Sequence, residues 1–306
     1  MASNPPFSAR GLQPAIAIAL FVLAIVNGCR LIGSPGPVSQ KMAACRQLAQ
    51  RGQSAMEQGN WPAAEALFAQ AIKAYPEDAS ARRYYADALW LRGAQQEALS
   101  QAEEALRLAN DDAAIAVQVG EMHLAMGRLE DARRLANAAL DAHPQTAGAW
   151  ALRARVATAE GQSESALADL HRALEHAPSD RQLLLESAEL YRTLGRPGSA
   201  LAAICALRET YADGEEPARV PYLQGLALAA LGRHVDAVDA YRLAIDRQTP
   251  SPQLLAQLAD AQFHCGQIEA ASQSAQQALA LDPSHAVASA VWERIEGQRL
   301  AAVPRE

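Results

Sequence analysis

Aromatic side chains are scarce in this chain of 306 residues. Phe, Trp and Tyr make up only 5% of it, although apolar residues make up 50% and alanine dominates them. The core of a β-sheet protein needs aromatic and β-branched residues, whereas small apolar side chains allow helices to pack closely. The composition therefore argues against an enzyme core built on a sheet and favours packed helices.

The sequence motifs of common catalytic and metal sites are also missing. The seven histidines are scattered, and no HExxH, GxSxG, P-loop or GxGxxG motif occurs. His171 and His176 are the nearest approach to a metal pair, but two ligands on one helix favour a spacing of four residues rather than five. We therefore expect no catalytic residues, no cofactor, no metal and no small-molecule substrate.

Concentrated positive charge is absent as well. The chain has 27 Lys and Arg against 34 Asp and Glu, for a formal net charge of −7, and the two signs are interspersed. Nucleic-acid binding requires a basic patch or stripe, so we expect no nucleic-acid partner.

What the chain does have is a repeat. Seven glycines recur 34 residues apart, with one interval of 37, and a small residue seven positions earlier and an alanine five positions later keep the same phase. A fixed period in this range indicates an array of stacked structural repeats. The seven glycines are Gly59, Gly93, Gly127, Gly161, Gly195, Gly232 and Gly266.

Each period contains two apolar stripes with helical spacing. After Gly59, for example, the second stripe consists of Ala64, Leu67, Phe68 and Ala71. Glycine can end the first helix in a left-handed conformation, and a following proline cannot extend the second. The small residue before each glycine is expected where two helices approach closely, because a larger side chain would hold them apart.

These small residues, glycines, alanines and prolines closely resemble those of the tetratricopeptide repeat. The resemblance implies an all-α fold: an α-solenoid, or right-handed superhelix, of about seven helix-turn-helix repeats over about four fifths of the chain. The fifth repeat is longer, and its extra residues at 210–217 are expected to form a tolerated surface loop or to extend the second helix. The repeats are predicted at 45–78, 79–112, 113–146, 147–180, 181–217, 218–251 and 252–285.

The end of the chain is predicted to close the array. Residues 286–300 have an apolar helical face that suits a capping helix, since the last repeat would otherwise expose an apolar flank. Residues 301–306 are predicted to be a disordered tail. Within the repeats, Trp61 and Trp150 are expected in the core.

The start of the chain has the features of a secretory signal. Arg10 precedes an apolar run at 15–26, and a small residue, Gly28, precedes Cys29. The run is shorter than the roughly twenty residues that a membrane span needs. The segment from Val26 to Cys29 resembles the lipobox of bacterial lipoproteins, which implies cleavage before Cys29 and lipidation of that residue.

This resemblance predicts a signal peptide at 1–28 and a flexible tether at 29–44. It implies a lipoprotein anchored in the membrane of the bacterial cell envelope, with the outer membrane slightly favoured because no aspartate follows Cys29. Two alternatives remain open, an uncleaved single-span anchor in the inner membrane and plain secretion. With an uncleaved anchor, the array would face the cytoplasm as an adaptor of an assembly or secretion complex.

The family resemblance also implies a partner site. In tetratricopeptide repeats, fixed positions of each first helix line a concave groove, and arginine and aromatic side chains are strong interface anchors. The implied function is a non-catalytic scaffold that binds a protein or peptide ligand in this groove. Carried over to this sequence, the groove residues are Arg46, Gln53, Arg83, Asp87, Trp90, Glu121, Arg155, Glu189, Arg192, Tyr222 and Phe263.

Overall fold

The computed structural model describes residues 36–109 and 111–301. The predicted signal peptide, Cys29, residues 29–35 of the predicted tether and residues 302–306 lie outside the described residues. The described residues form fifteen α-helices and no β-strand. The predicted all-α class is therefore confirmed.

The chain divides into two compact units, the first ending at Asn110 and the second beginning at Asp111. Within each pair of helices in the first unit the two helices pack against each other, and the two pairs also pack together. The described part of this unit contains α1 (Pro37–Glu57), α2 (Trp61–Ala74), α3 (Ala79–Leu91) and α4 (Gln95–Leu108).

The described part of the second unit contains five helix pairs and a final helix. They are α5 (Ala113–Ala125) and α6 (Leu129–Ala142), α7 (Ala147–Ala159) and α8 (Ser163–His176), α9 (Arg181–Thr193) and α10 (Pro197–Glu209), α11 (Arg219–Ala230) and α12 (His234–Arg247), α13 (Pro252–His264) and α14 (Ile268–Leu281), and α15 (Ala286–Ala301). The second helix of each pair packs against the first helix of the next pair. Such nearest-neighbour contact is characteristic of a solenoid, and the predicted α-solenoid is confirmed.

Helix α1 begins earlier than expected. It starts at Pro37, so residues 37–44, which were assigned to the flexible tether, are helical. Proline is favoured in the first turn of a helix because its missing N–H group has no intrahelical partner there. The Gly- and Pro-rich segment before it concealed this start in the sequence. Over the part of the chain that the structure describes, neither α1 nor any other helix has the length and apolar character that a membrane crossing requires.

The repeat glycines end the first helix of each pair, as the sequence predicts. Gly127 has φ of 73°, which glycine adopts without steric cost. Its N–H donates to the carbonyl of Leu124 at 2.9 Å, and the N–H of Arg128 donates to the carbonyl of His123 at 2.9 Å. These two bonds form the Schellman motif that satisfies the last carbonyls of a helix. All seven repeat glycines have positive φ, between 66° and 89°.

The small residue before each glycine lies where the helices approach most closely. Gly225 on α11 faces the ring of Tyr241 on α12, and a Cβ added there would lie 2.4 Å from Tyr241 Cε1. Gly52 on α1 faces Phe68 on α2 in the same way, at 2.6 Å. Both rings are fully buried. The expected close approach is therefore confirmed, and at these two places glycine leaves the space that an aromatic ring fills.

The inserted loop after α10 has a buried anchor. Residues 210–218 are irregular, and among them the side chain of Glu216 is only 7% exposed. Its carboxylate lies 3.0 Å from Nη2 of Arg247 and 3.6 Å from Nη2 of Arg208. Burial raises the pKa of Glu216, but its own backbone N–H and Arg247 lower it by more, so the pKa lies below its ordinary value. The insertion is thus a loop held by a buried ion pair rather than a freely variable surface segment.

Helix α15 covers the last repeat. Val291 and Ile295 are fully buried against Ala259, Ala271 and Ala275. These contacts give the last helix pair the neighbour that an array requires at its end.

The expectation that both tryptophans lie in the core is wrong for Trp61. Its side chain is 38% exposed, and it is the first residue of α2, directly after the N-cap residue Asn60. Trp150 is half-buried: its Nε1–H donates to the carbonyl of Pro144 at 2.7 Å, and the guanidinium of Arg153 lies 4.5 Å from the ring centroid.

Replacing Gly225 with alanine is expected to lower the free energy of unfolding by about 1–3 kcal/mol, because the ring of Tyr241 must shift within a packed core. The matched control is Gly198→Ala on α10, where an added Cβ meets nothing within 4 Å. Alanine favours the helix at that position, so the control should be neutral or stabilising. Urea unfolding followed by circular dichroism measures both, and unchanged stability of G225A would show that the two helices have room for a methyl group.

Candidate functional site

Two adjoining pockets open along the first helices of the second unit. The larger, of about 500 Å³, lies against α9, α11 and the start of α13, and the smaller, of about 360 Å³, lies between α7 and α9. Glu189 and Arg192 line both pockets, so the two adjoin at these side chains. We call them together the second-unit groove. It is lined by Ala154, Arg155, Thr158, Leu170, Glu186, Glu189, Leu190, Arg192, Thr193, Arg219, Tyr222, Leu223, Leu226, Gln248, Ser251, Gln253 and Leu254.

Four of the predicted groove residues line this groove: Arg155, Glu189, Arg192 and Tyr222. They come from α7, α9 and α11, which are the first helices of three successive repeats. Tyr222 is half-buried, and its hydroxyl forms a hydrogen bond with the side chain of Gln253. The stacking of the repeats therefore brings together residues that are up to 67 positions apart in the sequence.

Phe263 is placed differently. It is half-buried beneath α15, and the guanidinium of Arg294 lies 4.8 Å from its ring centroid. Arg294 also forms an ion pair with Asp260 on α13. The capping helix therefore occupies the surface that Phe263 would offer to a partner.

The remaining predicted residues on the first unit lie on α1 and α3, and they are described apart from the second-unit groove. Arg46 is exposed on α1, and Gln53 is half-buried. Arg83, Asp87 and Trp90 are half-buried on α3. Arg83 lies with its guanidinium 5.5 Å from the ring centroid of Tyr84.

Arg155 holds two carboxylates from the neighbouring repeats. Its Nε lies 2.9 Å from Oε1 of Glu186 on α9, and Nη1 forms a hydrogen bond with Glu121 on α5. The three side chains are between 20% and 34% exposed, so water screens their charges only in part. Glu121 and Arg155, which we assigned to partner binding, are therefore already paired with each other.

Two further ion pairs join first helices of the second unit. Glu189 pairs with Arg219, and Asp260 pairs with Arg294. Together with the pairs of Arg155 they connect successive repeats from α5 to α9, α9 to α11, and α13 to α15. We call these pairs the ion-pair ladder, and it consists of Glu121–Arg155–Glu186, Glu189–Arg219 and Asp260–Arg294.

The ladder includes residues that the sequence did not lead us to place in the groove, among them Glu186, Arg219 and Arg294. The prediction used only the repeat positions that face a partner in this family. Pairing between charged residues of neighbouring repeats was not considered. A usable signal was present: Glu121 and Arg155 are 34 residues apart, as are Asp260 and Arg294. Opposite charges one period apart occupy the same position in adjacent repeats and can therefore meet.

The carboxyl of Glu121 depends on Arg155. Burial raises the pKa of Glu121; Arg155 opposes this effect and the carboxylate of Glu186 adds to it, so the pKa stays above its ordinary value. A group whose pKa is raised on folding favours the folded state at low pH, and this contribution is lost as the pH rises through the folded-state pKa. At neutral pH, Arg155 offsets the charge that Glu121 then has.

No metal site accompanies these carboxylates. Within residues 36–109 and 111–301, no group of three or more His, Cys, Asp and Glu side chains is arranged to hold a metal ion.

We expect Arg155→Met to lower the free energy of unfolding at pH 7 by about 1–2 kcal/mol, because Glu121 and Glu186 are left without their partly buried hydrogen-bond donor. The loss should shrink as the pH falls towards the pKa of Glu121, which lies above its ordinary value, since protonation removes the uncompensated charge of this carboxylate. Urea unfolding at a series of pH values measures it.

The matched control is Arg172→Met on α8, which removes an exposed pair with Glu175. Such pairs contribute about 0.5 kcal/mol or less. If the two variants lose equal stability, or if the loss in R155M does not depend on pH, Arg155 has no special role in holding the carboxylates.

Comparisons with known proteins agree with this architecture. Models of one family, the tetratricopeptide repeat, match residues 50–113, 151–213 and 202–252, residues 89–156, and residues 252–285. Among curated proteins, none matches the chain.

Several solved structures share the fold at low sequence identity. A tetratricopeptide repeat protein from Parabacteroides merdae is 15% identical, with a TM-score of 0.54, and the match covers 83% of this chain and 99% of that one. The C-terminal part of a repeat-containing protein from Cytophaga hutchinsonii is 14% identical, with a TM-score of 0.57 and coverage of 79% and 98%. PilF from Pseudomonas aeruginosa is 14% identical, with a TM-score of 0.50 and coverage of 85% and 99%. With the family matches running from residue 50 to residue 285, the chain belongs to the tetratricopeptide repeat family.

Proposed function

We propose that this protein is a non-catalytic scaffold that binds an extended segment of a partner protein in the second-unit groove, and that a lipid on Cys29 anchors it in a bacterial cell envelope. Tetratricopeptide repeat proteins generally mediate protein–protein interactions. The observation that carries the binding proposal is that two pockets adjoin along three successive first helices and share Glu189 and Arg192 in their lining.

The groove has the composition of an interface. Tyr222 and Arg192 are side chains of the types that most often anchor protein partners. Leu226 lines the same pocket, is half-buried and offers apolar surface beside them. An extended chain that runs along the groove could place successive side chains in successive pockets, as peptide-binding grooves do.

A photocrosslinker in the groove tests the binding proposal. Benzoylphenylalanine in place of Tyr222 is expected to capture a discrete partner in intact cells, because that position faces the larger pocket. The matched control is the same substitution at Val235 on α12, which is 63% exposed and lies outside the groove. If both positions capture the same species, or if only Val235 captures one, the groove is not the binding surface.

The anchoring proposal rests on the sequence from Val26 to Cys29. Each buried methylene group of a lipid contributes about 0.8 kcal/mol, so one acyl chain binds marginally and two or three bind firmly. Only seven residues separate Cys29 from Pro37, where α1 begins. Their maximum span is about 25 Å, which would hold the array near the membrane surface.

Cys29→Ser is expected to abolish incorporation of radiolabelled palmitate and cleavage before residue 29, because both require the thiol. The mass of the purified wild-type chain should correspond to cleavage before Cys29 plus lipid. Wild-type protein that takes up no label contradicts the proposal. Wild-type protein that keeps the mass of the uncleaved chain and takes up no label would instead support the uncleaved anchor, with the array as a cytoplasm-facing adaptor.

A further inference from the structure

One arginine of the second-unit groove has no hydrogen-bond or ion-pair partner among the described side chains. Three arginines line the groove, and Arg155 and Arg219 are paired with glutamates of neighbouring repeats. The exposed side chain of Arg192, by contrast, makes no hydrogen bond or ion pair with any residue that the structure describes. Arg192 is therefore the cation of this groove that is free to bind a ligand.

Arginines outnumber glutamates in the lining of the groove, and Glu121, which pairs with Arg155, lies outside that lining. The lining includes three arginines and two glutamates, although the chain has a formal net charge of −7. The lining glutamates, Glu186 and Glu189, already contact Arg155 and Arg219. An anionic group that enters the groove thus meets an arginine without first displacing a carboxylate.

The surface beside Arg192 includes an apolar side chain where the ion-pair ladder is interrupted. One repeat after Glu189, the corresponding position holds Leu226 instead of a charged residue. Leu226 lines the larger pocket with Leu223 and Leu254. The arginine therefore lies next to a surface that would bury aliphatic or aromatic side chains of a ligand.

Arg192 occupies the middle of the groove rather than its end. It lines both pockets, and the smaller pocket continues past it towards Thr158 and Leu170. Its charge also acts on Tyr222 in the larger pocket. Burial raises the pKa of Tyr222, and the hydrogen bond with Gln253 and the charge of Arg192 offset this rise only in part. A ligand that contacts Arg192 can therefore extend in both directions, which suits a residue within a peptide and not a terminal carboxylate.

We propose that the second-unit groove selects an internal aspartate or glutamate of an extended partner segment, with apolar residues on either side of it, and that Arg192 binds this carboxylate. This inference rests on the proposed function, because it specifies the ligand of the same groove. The guanidinium can donate two parallel hydrogen bonds to a carboxylate, and the two pockets bind the flanking side chains. Arg155 and Arg219 stay in the ladder and take no direct part.

A phage-displayed library of random twelve-residue peptides tests the proposal. The peptides are fused to the coat protein through their C-termini, so the only carboxylates that they can offer are side chains. The purified wild-type protein, truncated to begin at Gly36, should enrich peptides that share one Asp or Glu between apolar residues. Arg192→Glu should lose this acidic preference and enrich Lys or Arg at the same position, whereas Arg192→Gln should lose the preference without gaining the opposite one.

Synthetic peptides make the test quantitative. A selected peptide should bind R192Q about ten- to a hundredfold more weakly than the wild type, since a charge-assisted hydrogen bond is lost. Changing its acidic residue to Asn or Gln should weaken binding to the wild type by a similar factor and should have little further effect on R192Q. Arg51→Glu, which makes the same change of charge on the exposed face of α1, is the matched control and should select and bind as the wild type does.

The possible results separate the inference from the function on which it rests. If the wild type enriches no peptide, the groove does not bind extended peptides and the proposed function itself fails. If it enriches peptides without an acidic position, or if R192E selects the same peptides as the wild type, the groove binds peptides but the role of Arg192 is wrong. Circular dichroism of each variant shows whether it is folded, and a folded R192E that still prefers acidic peptides overturns the inference outright.

Discussion

A pair of amphipathic helices cannot bury its own apolar flanks, and every other feature of this chain follows from that constraint. Each repeat must lie against the next, so the contact surfaces must be small enough for backbones to approach closely. Ala259, Ala271 and Ala275 are fully buried beneath α15 for this reason. Packing energy is then distributed over many small contacts.

The same repetition determines where charges meet. Residues at one position of the repeat lie above each other along the array, so a charge on one first helix faces the equivalent residue of the next. Arg155 is stabilised by carboxylates from both sides, while Asp260 is satisfied by a residue of α15. These pairs join repeats whose other contacts are apolar and non-directional. They also show that a charged residue on a first helix is not, for that reason alone, available to a partner.

Much of the fold could be predicted from the sequence because the signals are local and repeated seven times. Glycine at the end of each first helix indicates a left-handed backbone conformation. The small residue before it indicates that two helices approach closely, as Gly225 and Tyr241 show. For the groove, the sequence could predict only which side of each first helix faces it. Family positions indicate which side of a helix a residue such as Arg155 occupies, but not whether a neighbouring glutamate already binds it. The exposure of Trp61 was missed because residue size suggested burial, whereas its place in the first turn of α2 decided the outcome.

Recognition by an unpaired arginine differs physically from recognition by a paired one. A ligand carboxylate that bound Arg155 would have to displace Glu121 or Glu186 and leave it partly buried without a donor, at a cost comparable with the hydrogen bonds gained. Arg192 imposes no such cost. The chain as a whole repels an acidic partner, but at physiological ionic strength this repulsion is screened beyond about 8 Å. An acidic segment would therefore gain little from long-range steering, and its affinity would come from short-range contacts that slow dissociation.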